Sequence, residues 1–362
     1  MIAYYLIVFP FVLTSFICFD RKFDHIFRGT TALWAMFFII LTGFRYDSID
    51  YFGYQEIYAR TNFTDFSFPF FNAYGGTTGN EFIYALVTSI FKSIGLNFEF
   101  FVFFIAALSV TIKFYIFKKY SQLFLLSLLI YISFFWTKDL GQMRNGLAAA
   151  FILLSIVFIY RQKPVKFYLT ILLAAGVQVF AILALPLYAI HNSRYKQSII
   201  IGGLVLSLVL TQTGGLASFA VSLLEPFSSP LTSKVLGYYT RQHEISIVNP
   251  FGMGNILRFT IILGIFIFLK DQLKRNPFTD ASLTVFSYGV ILYTLLFSVS
   301  TFAHRSTEAF SLLTLAILLP FVVHSMPKHL KIPTLLLSVT YCLYFMHNSF
   351  LQNEPYKTIF FK

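Results

Sequence analysis

Long apolar runs, separated by short polar breaks, set the rhythm of this chain. A membrane-crossing helix needs about 20 mostly apolar residues. The runs at 1–19, 29–44, 98–117, 122–137, 145–160, 198–214, 254–270, 281–300, 306–324 and 332–348 approach that length, and the shorter ones must borrow flanking residues or tilt. Two further stretches are ambiguous: 81–96, which is short and carries Lys92, and 167–190, which is interrupted by Gly176 and Gln178. The run from Met1 to Phe19 lacks a basic leader and a small-residue cleavage site, so it predicts a retained span. The pattern as a whole predicts an all-α polytopic membrane protein, one integral membrane domain over 1–362, with about 10–12 transmembrane helices if the ambiguous segments are counted.

Composition strengthens that picture. The chain is 57% hydrophobic and only 12% charged, about half the charged share of a soluble domain, so most of its surface must face hydrocarbon. The mean hydropathy is +0.73. Both cysteines, Cys18 and Cys342, sit in apolar runs, which argues against a disulfide framework or a thiolate metal site. The histidines are scattered with no ligand spacing, and no glycine-rich phosphate loop follows a strand pattern. No metal and no cofactor are therefore expected.

Charge placement gives an orientation. Arg21, Lys22, Arg28, Lys118, Lys119, Arg161, Lys163, Lys166, Arg194, Lys196, Lys274, Arg275, Lys328 and Lys331 share one side only if 81–96 and 167–190 each enter and leave by the same face, as re-entrant or interfacial helices. With Lys113 and Lys270 added, that side carries 16 basic residues against four acids, and the other side carries 11 against 11. The net charge of +12 is then wholly cytoplasmic. It reports topology and calls for no nucleic-acid partner. Two long outer loops follow, about 45–80 and 211–254, and function is expected on that outer face.

Three outer constellations hold candidate chemistry. "GFRYDSIDYFGYQEIYAR" (43–60) combines Arg45, Asp47 and Asp50 with Tyr51, Tyr54 and Tyr58. Arginine offers a planar fork for phosphate oxygens, carboxylates can deprotonate a sugar hydroxyl, and tyrosine rings suit carbohydrate. An interfacial aromatic belt with local ion pairs is the competing reading. "WTKDLGQMRNGLAAAF" (136–151) places Arg144 at an outer helix mouth, where a salt bridge to Asp139 would give it a purely structural role. The small residues that follow allow close helix packing or a bulky ligand. "STFAHRSTEAF" (300–310) carries His304 and Arg305, with an Arg305–Glu308 pair at i, i+3 as the alternative. Arg258 lies inside the outer end of 254–270, where a carboxylate from another helix is the expected structural partner. Glu81 opens 81–96, where a favourable charge at a helix N-terminus competes with a catalytic role. Together these arginines, carboxylates and dipping helices describe a cavity for an anionic, hydroxyl-rich ligand.

The same residues resemble the EpsG/Wzy-type polymerases of bacterial surface polysaccharides, over about Arg45 to Pro320. "GFRYDSIDYFGY" is similar to the family's Arg-Tyr…Asp-Tyr outer loop, matching Arg45, Tyr46, Asp50 and Tyr51. "NEFIYALVTSIFKSIG" is similar to a segment that opens with Glu, here Glu81. "MRNGLAAA" resembles an Arg-Gln-x-x-Ala helix start, with Asn145 where Gln is usual. "LLAAGVQVFAILALPLY" resembles a broken hairpin, with Gln178 where a histidine is common. "AHRSTEAFSLLTLAILLP" resembles a late arginine helix, here Arg305 to Pro320. The resemblance implies a glycosyltransferase of the bacterial inner membrane, active at its outer face in O-antigen, lipopolysaccharide or exopolysaccharide biosynthesis. It would move an undecaprenyl-pyrophosphate-linked oligosaccharide onto another lipid-linked repeat unit, with a flippase and a chain-length regulator as partners. Under it, Arg144, Arg305 and Arg258 contact pyrophosphate, Arg45 contacts pyrophosphate or sugar, and Asp50, with Glu81 second, activates the acceptor hydroxyl. Tyr51, Tyr54 and His304 complete the substrate surface. A ligase, a flippase and a polysaccharide acyltransferase are the rivals. A flippase would want two similar halves with charge near the midplane, and an acyltransferase an early histidine base, for which only His25 stands.

Overall fold

The structure, a computed structural model, describes residues 2–17, 21–46, 48, 50–61, 81–212, 248–298, 300–351 and 356–358. Among these the chain is helical almost throughout, with one two-residue ladder pairing Arg45–Tyr46 (β1) with Lys357–Thr358 (β2). The middle of the bundle is α7 (Phe124–Phe134), in which all residues are buried. A helix apolar on every side must be covered on every side. Here α1 (Ile2–Ser15), α2 (Arg21–Gly29), α6 (Phe98–Tyr120), α8 (Trp136–Gly141), α17 (Leu315–Ser325) and α18 (Lys328–Leu351) pack around it.

Only α6 and α9 (Met143–Tyr160) are single helices long and apolar enough to cross a membrane, among the described residues. Two bent pairs also qualify when each is taken as one span. In the first, α2 meets α3 (Thr31–Gly43) at 58°. In the second, α16 (Ser300–Ser306) runs into a π-helical turn (Thr307–Leu312) and meets α17 at 45°. Several other apolar runs form shorter helices than their sequence lengths suggest, whereas the last, 332–348, lies within the longer α18. The run 122–137 breaks at Phe135, so that α8 lies as a separate short helix, and Arg144 then sits in the first turn of α9 rather than in a loop before it.

Charge sorts the two ends of the bundle. At one end Arg28 donates to the carbonyls of Lys118 and Ser121, Arg161 lies against Tyr160, and Gln122 bonds Asn276. Lys196, at the start of α12 (Lys196–Thr211), pairs with Asp280 in the first turn of α15 (Pro277–Leu295), which follows the short α14 (Lys270–Lys274). Lys113 does not belong to this basic end, contrary to the count above. It is wholly buried in α6 and bonded to Asp139 at 2.5 and 2.7 Å. A buried ammonium needs an adjacent carboxylate, and that need overrides its position near the basic end of the helix.

The stretch 167–190 does return to the face it enters. α10 (Pro164–Val177) leaves the basic end at Lys163, breaks at Gln178, passes through a 3₁₀ turn (Val179–Ala184), and comes back as α11 (Leu187–Asn192). His191 there bonds Thr284, one turn from Asp280. The hairpin tip is held under α5 (Phe82–Ser93), where a Cβ at Gly176 would run into Ile83. The expected loop 45–80 contains a helix, α4 (Tyr51–Arg60), because Tyr51, Tyr54 and Tyr58 recur at helical spacing and bury one face. Residues 62–80, Asp47, and most of the loop 211–254 lie outside the described residues.

Candidate functional site

At the end opposite the basic clusters, four parts of the chain enclose a cavity of about 300 Å³. α4 supplies Asp50 at its cap and Gly53, Tyr54 and Ile57 along one face. The junction of α8 and α9 supplies Gln142, Arg144 and Asn145, the hairpin tip supplies Gln178, and α16 supplies Arg305. Apart from the α4 face, the lining comes from helix ends and breaks, where backbone irregularity can be tolerated because it lines a polar space.

Arg144 is fixed from two sides. Its Nη1 donates to Glu81 Oε2 at 2.5 Å, and its guanidinium stands over the rings of Tyr54 and Tyr84 at 5.5 and 5.3 Å. Ring faces attract a guanidinium by about 0.5–2 kcal/mol each, more when water is excluded. The alternative pairing with Asp139 is absent because that carboxylate is taken by Lys113, Ser109 and Tyr131. That buried cluster sits directly beneath the site. A Cβ at Gly146 would collide with Asp139 Oδ1, so the small residue after Arg144 is needed for the carboxylate to lie there. Glu308 likewise does not pair with Arg305. It binds Lys138 at 2.6 Å and accepts from Asn145 Nδ2 at 2.7 Å, which locks α8, α9 and the π turn together.

Asp50 is half-buried at the cavity wall. Partial burial raises its pKa above the usual carboxylate range, while Arg305 first, then Arg144, Lys138 and Arg45, pull it back down. It thus faces a converging positive field. Arg305 packs against the Phe180 ring at 5.8 Å. Two guanidiniums opposite one carboxylate, with Gln142, Asn145 and Gln178 between, can hold a doubly charged anion while one general base remains available.

Several other candidates stand apart from the cavity. Arg45 is 2% exposed and donates to the Thr42 carbonyl at 2.8 Å and to Ser48 Oγ at 3.2 Å, behind the site. Burial pushes its pKa down to about 10. Tyr51 is buried against Tyr46 and Phe98 in a satellite core, and its neighbour Tyr54 is the tyrosine that reaches the cavity. Arg258 and His304 do not line the cavity; both lie on its far side, against Tyr293. Sequence reasoning singled out neither Tyr84 nor Gln142. An aromatic three residues after Glu81 and an amide two before Arg144 were the available signals. Among the described residues no group of three or more His, Cys, Asp or Glu side chains is arranged to hold a metal ion.

An amylovoran biosynthesis protein, AmsC of Erwinia amylovora, is 25% identical over 217 residues, which cover 58% of this chain and 56% of that protein. The chain therefore matches little more than half the length of that relative. No solved structure matches it. The EpsG family model matches residues 31–360, from the start of α3 to beyond β2, and so takes in every wall of the cavity. This membrane protein belongs to the EpsG family.

Proposed function

We propose that the chain is a polysaccharide polymerase, a glycosyltransferase that extends a surface polysaccharide from lipid-linked repeat units. The observation that carries this reading is the cavity itself, in which Arg144 and Arg305 face Asp50 at the end of the bundle away from the basic clusters. The family membership and the name of the AmsC relative point the same way. In the proposed step the acceptor hydroxyl oxygen bonds to the anomeric carbon of the donor sugar, while the bond from that carbon to the pyrophosphate oxygen breaks. The hydroxyl proton passes to Asp50, and the lipid pyrophosphate departs with the bonding pair. Arg144 and Arg305 are aimed where negative charge grows on that leaving group, which is the placement that lowers a barrier most. Glu81, held in its ion pair, aims Arg144.

The basic end faces the cytoplasm in this reading, so the cavity opens at the outer face of the bacterial inner membrane. The lipid would be undecaprenyl, repeat units would arrive from a flippase, and a separate regulator would set chain length. The test is the surface polysaccharide of cells lacking the gene, displayed on a gel beside complements with wild type, Arg144→Ala and Asp50→Asn. The ladder should collapse to a single repeat unit and return only with wild type at equal protein level. An intact ladder in the null strain would overturn the proposal, and lipid-linked units trapped inside the cell would replace it with a flippase.

A further inference from the structure

Arg258 is buried at 5% exposure in α13 (Met253–Phe268), and no carboxylate among the described residues pairs with it. Its guanidinium stands 5.3 Å from the centre of the Tyr293 ring, and its Nε finds no acceptor. The Tyr341 hydroxyl, which interacts with Arg258 electrostatically, is likewise without a partner. Among the described residues the other buried or half-buried basic side chains of the interior have hydrogen-bond anchors: Lys113 has Asp139, Arg144 has Glu81, and Arg45, which has no carboxylate either, has the Thr42 carbonyl and Ser48 Oγ. A guanidinium cannot lose its proton in a protein, so burying it without an anion leaves a charge that something must neutralise.

The position of this arginine says what that something is. α16 stands between Arg258 and the cavity. Its Arg305 lines the cavity, while the preceding His304 packs edge-on to Tyr293 at 6.2 Å, on the Arg258 side. The outward face of α13 is apolar and exposed at Ile256, Leu263 and Ile267, and α18, which carries Tyr341, exposes Leu336, Leu337 and Tyr344. An unpaired cation buried between helices with apolar outer faces suits an anionic headgroup that arrives on a hydrocarbon tail.

We infer that Arg258, with Tyr293, Tyr341 and His304, forms a second anion subsite that holds the pyrophosphate headgroup of a second lipid-linked substrate. The inference rests on the polymerase reading, since chain extension brings together two lipid-linked molecules and the cavity holds one leaving group. The two headgroups then lie on opposite sides of α16, with Arg305 turned to one and His304 to the other.

The test uses the full chain in nanodiscs and farnesyl pyrophosphate as the probe, with binding stoichiometry read by calorimetry. Wild type should bind two equivalents. Arg258→Gln should lose one, Arg305→Gln the other, and Arg258→Lys should keep two with the second weakened at least tenfold. One equivalent in wild type that Arg305→Gln removes and Arg258→Gln leaves would overturn the second subsite while the cavity reading stands. Loss of neither equivalent in Arg258→Gln would do the same. No binding by wild type would overturn both. Inorganic pyrophosphate separates the sources of the anion: a lipid headgroup site should bind it at least tenfold more weakly than farnesyl pyrophosphate, and equal binding at the Arg258 site would sink the lipid assignment. A diazirine-bearing polyprenyl pyrophosphate gives a readout that needs no variant to fold. Labelled peptides from α13 or α18 support the subsite, and labels confined to α4, α9 and the hairpin tip overturn it.

Discussion

Lys113 and Asp139, 26 positions apart, form a wholly buried ion pair beneath the cavity floor, completed by Ser109 and Tyr131. Asp139 belongs to α8, which carries Lys138 in its ion pair with Glu308 and leads directly into Gln142 and Arg144 at the cavity, so the buried pair fixes the height of that short helix. Removing one partner strands the other charge. Lys113→Met or Asp139→Ala alone should destabilise the solubilised protein by about 3–5 kcal/mol, read as a lowered midpoint of thermal unfolding. The double variant should recover much of that loss, because two apolar groups leave no orphaned charge. Equal loss in the double and single variants would show that the pair itself is not what holds α8.

Gly146 and Gly176 are close-approach positions, and their substitutions should part from that of an open glycine. Gly146→Ala drives a methyl group into Asp139, and Gly176→Ala drives one into Ile83. Each should lower stability by about 1–3 kcal/mol as overpacking does. Gly264 in α13 has nothing within 4 Å of a built Cβ. Gly264→Ala should therefore leave the unfolding midpoint unchanged or raised, since alanine favours a helix over glycine by about 1 kcal/mol. The same thermal measurement on all three variants checks the contrast.

Much of this arrangement is legible in the sequence, and the misses have a common cause. The dipping stretch 167–190 could be read because its polar break at Gln178 and its basic flanks are local signals. Arg144, Arg305 and Asp50 could be nominated because a charge at the mouth of an apolar run stands out along the chain. What could not be read is which charge neutralises which. Asp139 lies five residues from Arg144 yet binds Lys113, and Glu308 lies three from Arg305 yet binds Lys138. Those choices are made by helices meeting in three dimensions, where spacing along one helix gives no guidance. Run lengths misled for a related reason: the π turn at Thr307–Leu312 packs so closely on α15 that a Cβ at Gly289 would crowd Phe310, a contact that no run length records.

The aromatic seat of Arg144 predicts that charge alone will not replace it. Lysine keeps the cation but loses the planar fork and its stacking on Tyr54 and Tyr84. Arg144→Lys should fold normally and still reduce polymer formation at least tenfold, measured as the loss of high-molecular-weight ladder at equal protein level. Glu81→Gln frees the arginine without removing it, so it should reduce activity less than Arg144→Ala does. Wild-type activity in Arg144→Lys would show that a point charge suffices.

Exposure at the two ends gives a direct reading of orientation. Lys119 and Arg161 are exposed at the basic end, and Gly53 and Glu56 are exposed on α4 beside the cavity. In a chain whose native cysteines are replaced by serine, Glu56→Cys should react with a membrane-impermeant maleimide added to spheroplasts. Lys119→Cys should react only after the membrane is opened. The reverse pattern would put the cavity in the cytoplasm and remove the basis for an outer-face reaction.

Asp50 carries the pH prediction. Burial favours its protonated form and raises its pKa, so the folded chain holds this proton more tightly than the unfolded chain does. A general base must be ionised, and activity should therefore rise as pH climbs through that raised value, above the ordinary aspartate pKa of about 4. Arg305 is the strongest of the charges that oppose the rise. Arg305→Gln removes that opposition, so the acid limb of kcat/KM should move to higher pH, in addition to any loss at the plateau. Arg60, exposed at the far end of α4 and paired with Glu56, supplies the control, and Arg60→Gln should leave the limb where it is. A limb that stays in place or moves down in Arg305→Gln would show that the titrating group is not Asp50.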